Sequence, residues 1–379
     1  MTFGKWDLLE GVVNTKGYRH LECCLSSMSY LYSLVVRARN WCYDHRLITS
    51  RNVELPVISV GNVTVGGNGK SPFTAYLVQE LTQRGLMSVI LSRGYGGFAI
   101  GPHIVSERDS VSEVGDEALM HLSHLGSRAR IVISKKRVAG AKLIKSQALG
   151  DVILLDDGFQ HRRLERNLDL LLIDVGDKNV VEEFENPKLL PRGRFRENPD
   201  SAFRRCHAIV FVQKALKFDR ERQSETANWV NVDRLLSSTQ ISWPSIPIFR
   251  FALYPARFVK VSTGEEFPLE SFRNKTVGAM AAIAKPEGFF SLLDNLGLVV
   301  QNAFAKPDHA VFSLDEWKTF SRNNSTIVTT AKDTPKLKPF LQAGDELYEL
   351  ILDGEFLSID EKARFLALID ETVKGALGN

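Results

Sequence analysis

Residues 56–72 read PVISVGNVTVGGNGKSP. The first five, residues 56–60, are a short β-branched run that reads as a strand. Gly61-Asn62-Val63-Thr64-Val65-Gly66-Gly67-Asn68-Gly69-Lys70-Ser71-Pro72 follows, and Phe73, Leu77 and Leu81 then recur at helical spacing. A strand, a glycine-rich loop and a helix in that order make a phosphate cradle. Glycines let the backbone turn its N–H groups inward, and the helix N-terminus adds a positive dipole end. Thr64, Val65, Gly66, Gly67, Asn68 and Gly69 are expected to wrap a nucleotide. Lys70 is expected to reach its β- and γ-phosphates, and the Ser71 hydroxyl to ligate Mg²⁺. Pro72 suits the first turn of a helix, where a missing N–H is no loss. The strict pattern wants glycine five residues before Gly69, and this chain has Thr64 there.

Outward from the loop, strands are expected at 56–60, 88–91, 131–133, 152–155, 169–173 and 208–212, separated by amphipathic helical stretches. That alternation predicts an α/β fold, a parallel sheet flanked by helices of the P-loop NTPase kind. Ligands then bind beyond the C-terminal ends of the strands. Near residue 217 the chain turns polar and stays irregular to 245. A second, smaller α/β unit is expected after it, with a strand at 276–280, a helix from Pro286 to Leu296 and a strand at 326–330. A final helix covers 359–373. The expected organisation is an N-terminal amphipathic membrane-contact region over 1–48, the phosphate-loop core over 49–245, the smaller domain over 246–355 and a terminal helix over 356–379.

With 379 residues the chain is long enough for two cored domains, and a net charge of +3 excludes a chain built as a whole to coat nucleic acid. Cys23, Cys24, Cys42 and Cys206 lack the paired spacing of a zinc site, and a chain this long needs no disulfide framework, so a reducing compartment fits. No apolar run reaches the roughly 20 residues that span a bilayer. The opening MTFGKWDLLEG has no basic stretch leading into an apolar core, as a secretory leader does. Residues 21–48 read as an amphipathic helix. Cys24, Met28, Leu31, Val35, Ala38 and Cys42 share one face, Tyr30, Tyr32, Trp41 and Tyr43 add aromatics, and Arg37, Arg39 and Arg46 cluster towards the end. Two readings stay open: a helix lying in a membrane interface, or a helix packed on the protein's own core.

The strand at 152–155 ends in Asp156-Asp157, where P-loop enzymes carry a second anchor for Mg²⁺; a plain Asp-Gly turn is the other reading. The stretch Asp156-Asp157-Gly158-Phe159-Gln160-His161-Arg162-Arg163-Leu164, taken with VGNVTVGGNGKSP, resembles the tetraacyldisaccharide 4'-kinase family. Ser92-Arg93-Gly94-Tyr95-Gly96, Gly115-Asp116-Glu117, Leu190-Pro191 with Arg196-Glu197, Pro307-Asp308-His309 and Lys332-Asp333 match in the family's order, so the resemblance covers most of the chain.

The resemblance implies ATP and Mg²⁺ and a lipid disaccharide substrate. The 4'-hydroxyl of a tetraacylated glucosamine disaccharide 1-phosphate would be phosphorylated to give lipid IVA in lipid A biosynthesis. It implies peripheral attachment to a membrane surface, on the cytoplasmic face of the inner membrane in a bacterium and in an organelle in a plant. No nucleic acid and no obligate protein partner is expected. Carried over by position, Lys70 and Ser71 hold phosphate and Mg²⁺, Asp116 is the general base for the sugar hydroxyl, and His309 is its partner across the domain cleft. Glu117, Asp156 and Asp157 become candidate Mg²⁺ or supporting carboxylates. Arg93, Tyr95, His161, Arg196 and Glu197 would line the acceptor or nucleotide phosphates. Read without the family, Asp116 and Glu117 are also carboxylates that favour a helix start, and His309 is also a surface turn residue.

Three segments depart from the family. Ala282-Ile283-Ala284-Lys285-Pro286 stands where Gly-Ile-Gly-Asn-Pro is common, LLPRGRFRE replaces Pro-Ala-Gly-Pro wording before Arg-Glu, and Ala-Lys-Asp stands for Glu-Lys-Asp. No expected catalytic position is substituted, so an active enzyme is expected. A P-loop ATPase without a lipid acceptor and a nucleotide-sensing membrane adaptor are the competing readings.

Overall fold

A computed structural model describes residues 15–176, 179–214, 229, 231–235, 237 and 246–378. The MTFGKWDLLEG opening and most of the polar stretch at 217–245 lie outside the described residues. Among the described residues thirteen strands form one sheet. They are β1 Val57–Gly61, β2 Ser88–Ser92, β3 His103–Ile104, β4 Ala129–Ile133, β5 Val152–Asp156, β6 Leu168–Asp174, β7 Ala208–Lys214, β8 Ile248–Lys260, β9 Glu266–Pro268, β10 Thr276–Ala281, β11 Val299–Ala305, β12 Ile327–Thr330 and β13 Leu347–Phe356. Their order is β11-β10-β12-β13-β8-β7-β6-β1-β5-β2-β4-β3, with β9 paired to β8 off that path.

Two parallel sets are joined by one antiparallel pair. β4, β2, β5, β1, β6, β7 and β8 run parallel, and so do β11, β10, β12 and β13. β8 and β13 are antiparallel. β1, β2 and β5 are buried at every position, as strands covered on both faces by helices must be, and their continuous apolar runs follow from that.

β8 divides its length between the two sets. Residues 248–253 pair with β7, and residues 251–260 pair with β13. The sets are therefore stacked end to end along β8, and the antiparallel β13 reverses the direction of the second. The carboxyl ends of both sets face each other across one cleft. The sequence reading passed over β3, β8, β9, β11 and β13. β8 contains Pro255, which removes a ladder donor. The register slips beside it, between Ile351 and Leu352 on the partner, and the pairing with β7 has already ended at Leu253. Pro255 is tolerated because one side of the strand is unpaired there. β11 is a mostly exposed edge and lacks a buried alternating pattern.

The N-terminal helix α1, Thr15–Asp44, docks through polar contacts. Buried Ser29 donates to the Leu189 carbonyl (2.8 Å), the Tyr32 hydroxyl to the Arg196 carbonyl (2.8 Å), and buried Asn40 to Glu197 (3.1 Å). The stripe Met28, Leu31 and Val35 is left exposed, at 56%, 62% and 68%. The core-packed reading thus fails for the apolar face, although the helix as a whole is attached. Among the described residues no helix is long and apolar enough to cross a membrane.

An aromatic cluster fastens helix α2, Lys70–Gln83, and the terminal helix α3, Ile359–Leu377, to the joining strands. Phe73 meets Phe251 edge-on at 4.9 Å, Phe251 meets Phe356 at 5.1 Å, and Phe356 meets Phe365 at 4.7 Å. All four are buried. Truncation of Phe356 to alanine is expected to lower unfolding free energy by about 3–5 kcal/mol, read by denaturant titration.

Candidate functional site

The phosphate loop leaves β1 at the cleft. Helix α2 begins at Lys70, and no side chain caps its first turn, so its N–H groups are left for an anion. Gly69 has φ +72°, and a Cβ there would sit 2.7 Å from Leu253 and 2.9 Å from Val212, so only glycine fits. Thr64 meets no such demand. It is bridged to Phe195, with Val65 N–H donating to Arg194 and Arg196 N–H to Val63, so extended backbone replaces the glycine of the strict pattern. Its hydroxyl accepts from Asn68 Nδ2 at 2.9 Å, which braces the loop across its mouth. Lys70 Nζ lies 3.3 Å from Asn62 Oδ1 and 3.5 Å from Asp157. Ser71 follows in the first turn of the helix.

β5 lies beside β1, with Asp156 level with Val60, so Asp156-Asp157 emerge next to the loop. Asp157 receives Arg196 Nη1 at 2.9 and 2.8 Å. Burial pushes its carboxyl up, but Lys70 and Arg196 outweigh that and hold it below the usual range. Asp156 is buried, and its Oδ1 has no hydrogen-bond partner. Burial, then the charge of Asp156, push the Glu117 carboxyl up. Lys332 lies 3.6 Å from Glu117 and His121 3.4 Å from Asp156 Oδ2, so the orphaned Asp156 Oδ1 is the oxygen left for a divalent cation. Asp157 is paired with two cations and supports the loop lysine.

Asp116 opens the helix Asp116–Leu125 and is almost fully buried. Gly115 before it has φ +88°, and a Cβ there would lie 2.3 Å from the Tyr95 carbonyl. Glycine at 115 is what lets the Tyr95 segment and Asp116 share one corner. Across the cleft, the 307–309 turn after β11 brings His309 Nδ1 to 3.1 Å from both Asp116 oxygens. Lys332 Nζ stands 3.2 Å from His309 Nε2 and 2.9 Å from Asp308. An ammonium at Nε2 can only donate, so Nε2 accepts and Nδ1–H donates to Asp116. Lys336, fully buried, bonds Asp116 at 3.0 Å and Asp333 at 2.8 Å. Burial alone would raise the Asp116 carboxyl, but His309, Lys332 and Lys336 together hold it well below the ordinary carboxylate range.

The altered 282–286 segment lies beneath this pair. Ala282 N–H donates to Asp333 (2.9 Å), and its carbonyl accepts from His309 N–H (3.3 Å) and Lys336 (3.4 Å). None of residues 282–286 has a positive φ, so the missing glycines leave no strain. Ala282 is buried within the cluster of Phe312, Trp317 and Leu337.

The remaining expected residues separate. The Tyr95 ring is exposed and 4.7 Å from the His309 ring. The buried Arg137 lies within electrostatic range of Arg93, Asp157 and Asp156; burial, then Arg93, push Arg137 down to about 10. His161 is pushed down to about 4 by burial and by Arg137, Arg166, Arg39 and Arg163, and is neutral at physiological pH. Glu197 is buried, and its oxygens accept from Arg205, Gln160 (3.0 Å) and Asn40 (3.1 Å), so it braces the Arg196 segment and α1. Lys332, Lys336, Arg137 and Asn62 were missed. Lys332 stood within a matched motif, whereas nothing in the sequence separates buried Lys336 from a surface lysine.

Comparison with known proteins agrees in one direction. The family model described as tetraacyldisaccharide-1-P 4'-kinase matches residues 21–374. The tetraacyldisaccharide 4'-kinase of Geobacter sulfurreducens is 34% identical over 88% of this chain and 90% of its own. That of Syntrophus aciditrophicus is 33% identical over 90% and 89%. The structure of LpxK from Aquifex aeolicus in complex with ATP superposes with a TM-score of 0.70 at 29% identity, covering 93% of this chain and 99% of that one.

Glu197→Ala is expected to destabilise the fold by about 3–5 kcal/mol by stranding Arg205, while nucleotide affinity changes little. Thermal melts paired with titration of an ATP analogue read both quantities.

Proposed function

The chain belongs to the tetraacyldisaccharide 4'-kinase family, and from that premise we propose how its residues divide the work. It is an ATP-dependent kinase that transfers the γ-phosphate to the 4'-hydroxyl of tetraacyldisaccharide 1-phosphate, in lipid A biosynthesis. The acceptor readings without a lipid give way to that assignment. The observation that carries the residue roles is the Asp116–His309 pair, which joins the strand set bearing the Lys70 loop to the set opposite.

In this reading Asp116 accepts the hydroxyl proton as the sugar oxygen bonds to the γ-phosphorus. The bond from that phosphorus to the β–γ bridging oxygen breaks, and ADP leaves with its electron pair. A loose transition state needs an oriented oxygen more than a strong base, which suits a carboxylate held ionised. His309 orients Asp116 through Nδ1–H, with Lys332 fixing that tautomer. Lys70 and the first turn of α2 bear on the transferred phosphate, and Arg196 keeps Lys70 company through Asp157. Ser71, Asp156 and Glu117 would hold Mg²⁺, which supplies charge neutralisation on the phosphate oxygens. Arg93, Arg137, Tyr95 and His161 line the remaining approach to the cleft.

We further propose that α1 attaches the enzyme peripherally to the cytoplasmic face of the bacterial inner membrane. Its exposed Met28–Leu31–Val35 stripe, with Trp41 at 53% exposure and Arg37 nearby, supports that placement. The division at residues 48, 245 and 355 is likewise a proposal; β8 lies past residue 245 and pairs with strands of both parallel sets.

Asp116→Asn is expected to lower kcat by about 10²–10⁴ with ATP affinity nearly intact, measured with labelled ATP and acceptor in detergent; a matching loss of ATP affinity contradicts the base role. Lys336→Met removes a cation beside Asp116, so its pKa rises and the acid limb of kcat/KM moves to higher pH. Leu31→Glu with Val35→Glu leaves the polar docking face intact and is expected to shift the enzyme from sedimented anionic vesicles to the supernatant; undiminished vesicle binding rules out α1 as the attachment.

A further inference from the structure

A second apolar surface stands beside the catalytic pair. The loop after β2 runs Arg93-Gly94-Tyr95-Gly96-Gly97-Phe98-Ala99-Ile100, and Phe98 and Ile100 are 65% and 85% exposed. Side chains of that size in water are a cost unless something covers them. They are not on a free-swinging loop. Phe98 N–H donates to the Ser112 carbonyl (3.0 Å) and Ala99 N–H to the Glu113 carbonyl (3.1 Å). Gly97 lies so close that a Cβ would be 2.4 Å from the Glu113 carbonyl. The helical turn receiving them is fixed by a capping box between Ser110 and Glu113. Ala99 packs against the main core cluster, while Phe98 and Ile100 on either side of it are exposed.

This ledge is continuous with the site. Tyr95 touches His309, and Phe98 is three residues further, at most about 10 Å along the chain, with Ile100 at most about 18 Å. Its charge company differs from that of α1. Exposed Arg93 and Arg108 stand with exposed Glu107 and the half-buried Asp109 and Glu113, so the stretch lacks the excess of positive charge that draws a surface to an anionic leaflet. An apolar ledge that starts beside His309 and carries no excess of positive charge suits a single hydrocarbon chain leaving the bound sugar better than a bilayer.

Resting on the kinase reading above, we propose that Phe98 and Ile100 form a contact surface for an acyl chain of the acceptor, so that this loop reads lipid while Tyr95 stays at the catalytic pair. The occupant is part of the substrate, and the loop contributes to acceptor KM.

The test is a comparison of acceptors with long and shortened acyl chains in detergent, using wild type, Phe98→Ser with Ile100→Ser, and the conservative Phe98→Leu with Ile100→Val. The wild type is expected to favour long chains in kcat/KM. The serine variant should lose about tenfold of that preference, through KM, and the conservative variant should keep most of it. ATP affinity and melting temperature should hold in all three, since both side chains are exposed. An unchanged chain-length preference in the serine variant overturns the proposal. So does weakened vesicle binding with unchanged detergent kinetics, which would assign the ledge to the bilayer. Failure of the wild type to phosphorylate any of these acceptors would instead overturn the kinase reading on which the proposal rests.

Discussion

The antiparallel pairing of β8 with β13 is the constraint on which the active cleft depends. Parallel strands present their loops at one edge only, and each set here obeys that rule. Joined in parallel, both sets would have offered their loops to the same side of a wide sheet. The one reversed pair, displaced along β8, turns the second set to face the first. Asp116 from one and His309 from the other then meet at hydrogen-bond distance. The slip beside Pro255 falls where β8 passes from one set to the other, and there the strand lacks a second neighbour.

The electrostatics of the cleft follow from this opposition. The first set supplies carboxylates at its strand ends and helix starts: Asp116, Glu117, Asp156 and Asp157. The second supplies His309, Lys332 and Lys336. Burial by itself would protonate the acids, as it does in tendency at Glu117. Cations from the opposite face prevent that at Asp116, and Lys70 and Arg196 do so at Asp157. Asp156 has buried His121 Nε2 at 3.4 Å from Oδ2, and its other oxygen, Oδ1, has no hydrogen-bond partner. Charge is balanced where the protein can reach, and the remaining deficit lies where a metal–nucleotide complex is expected.

Much of this was legible in the sequence. The fully buried strands β1, β2 and β5 announce themselves as unbroken apolar runs, and the phosphate loop by glycine and lysine spacing. Asp116 and His309 are 193 positions apart, and only the resemblance to a family linked them; no local pattern states that two turns will meet. β8 was missed because Pro255 reads as a breaker, and its exemption depends on a neighbour strand ending early. The bracing partners of Glu197 were out of reach for a related reason: burial against Arg205 and Asn40 is a tertiary fact. The apolar stripe of α1 was seen, but its direction was not, since periodicity shows that a face exists and not what lies opposite.

The two close approaches at Gly97 and Gly115 carry a consequence for how this enzyme tolerates sequence change. Each glycine is pressed on a carbonyl of the other's segment, Gly97 on Glu113 and Gly115 on Tyr95. The two stretches are locked as a pair, and drift in one is vetoed by the other. Phe98 and Ile100 project from that locked frame, and no backbone contact dictates their identity. Variation can therefore accumulate at the rim while the catalytic corner stays invariant, which gives a lineage a route to new acceptor preferences without passing through inactive intermediates.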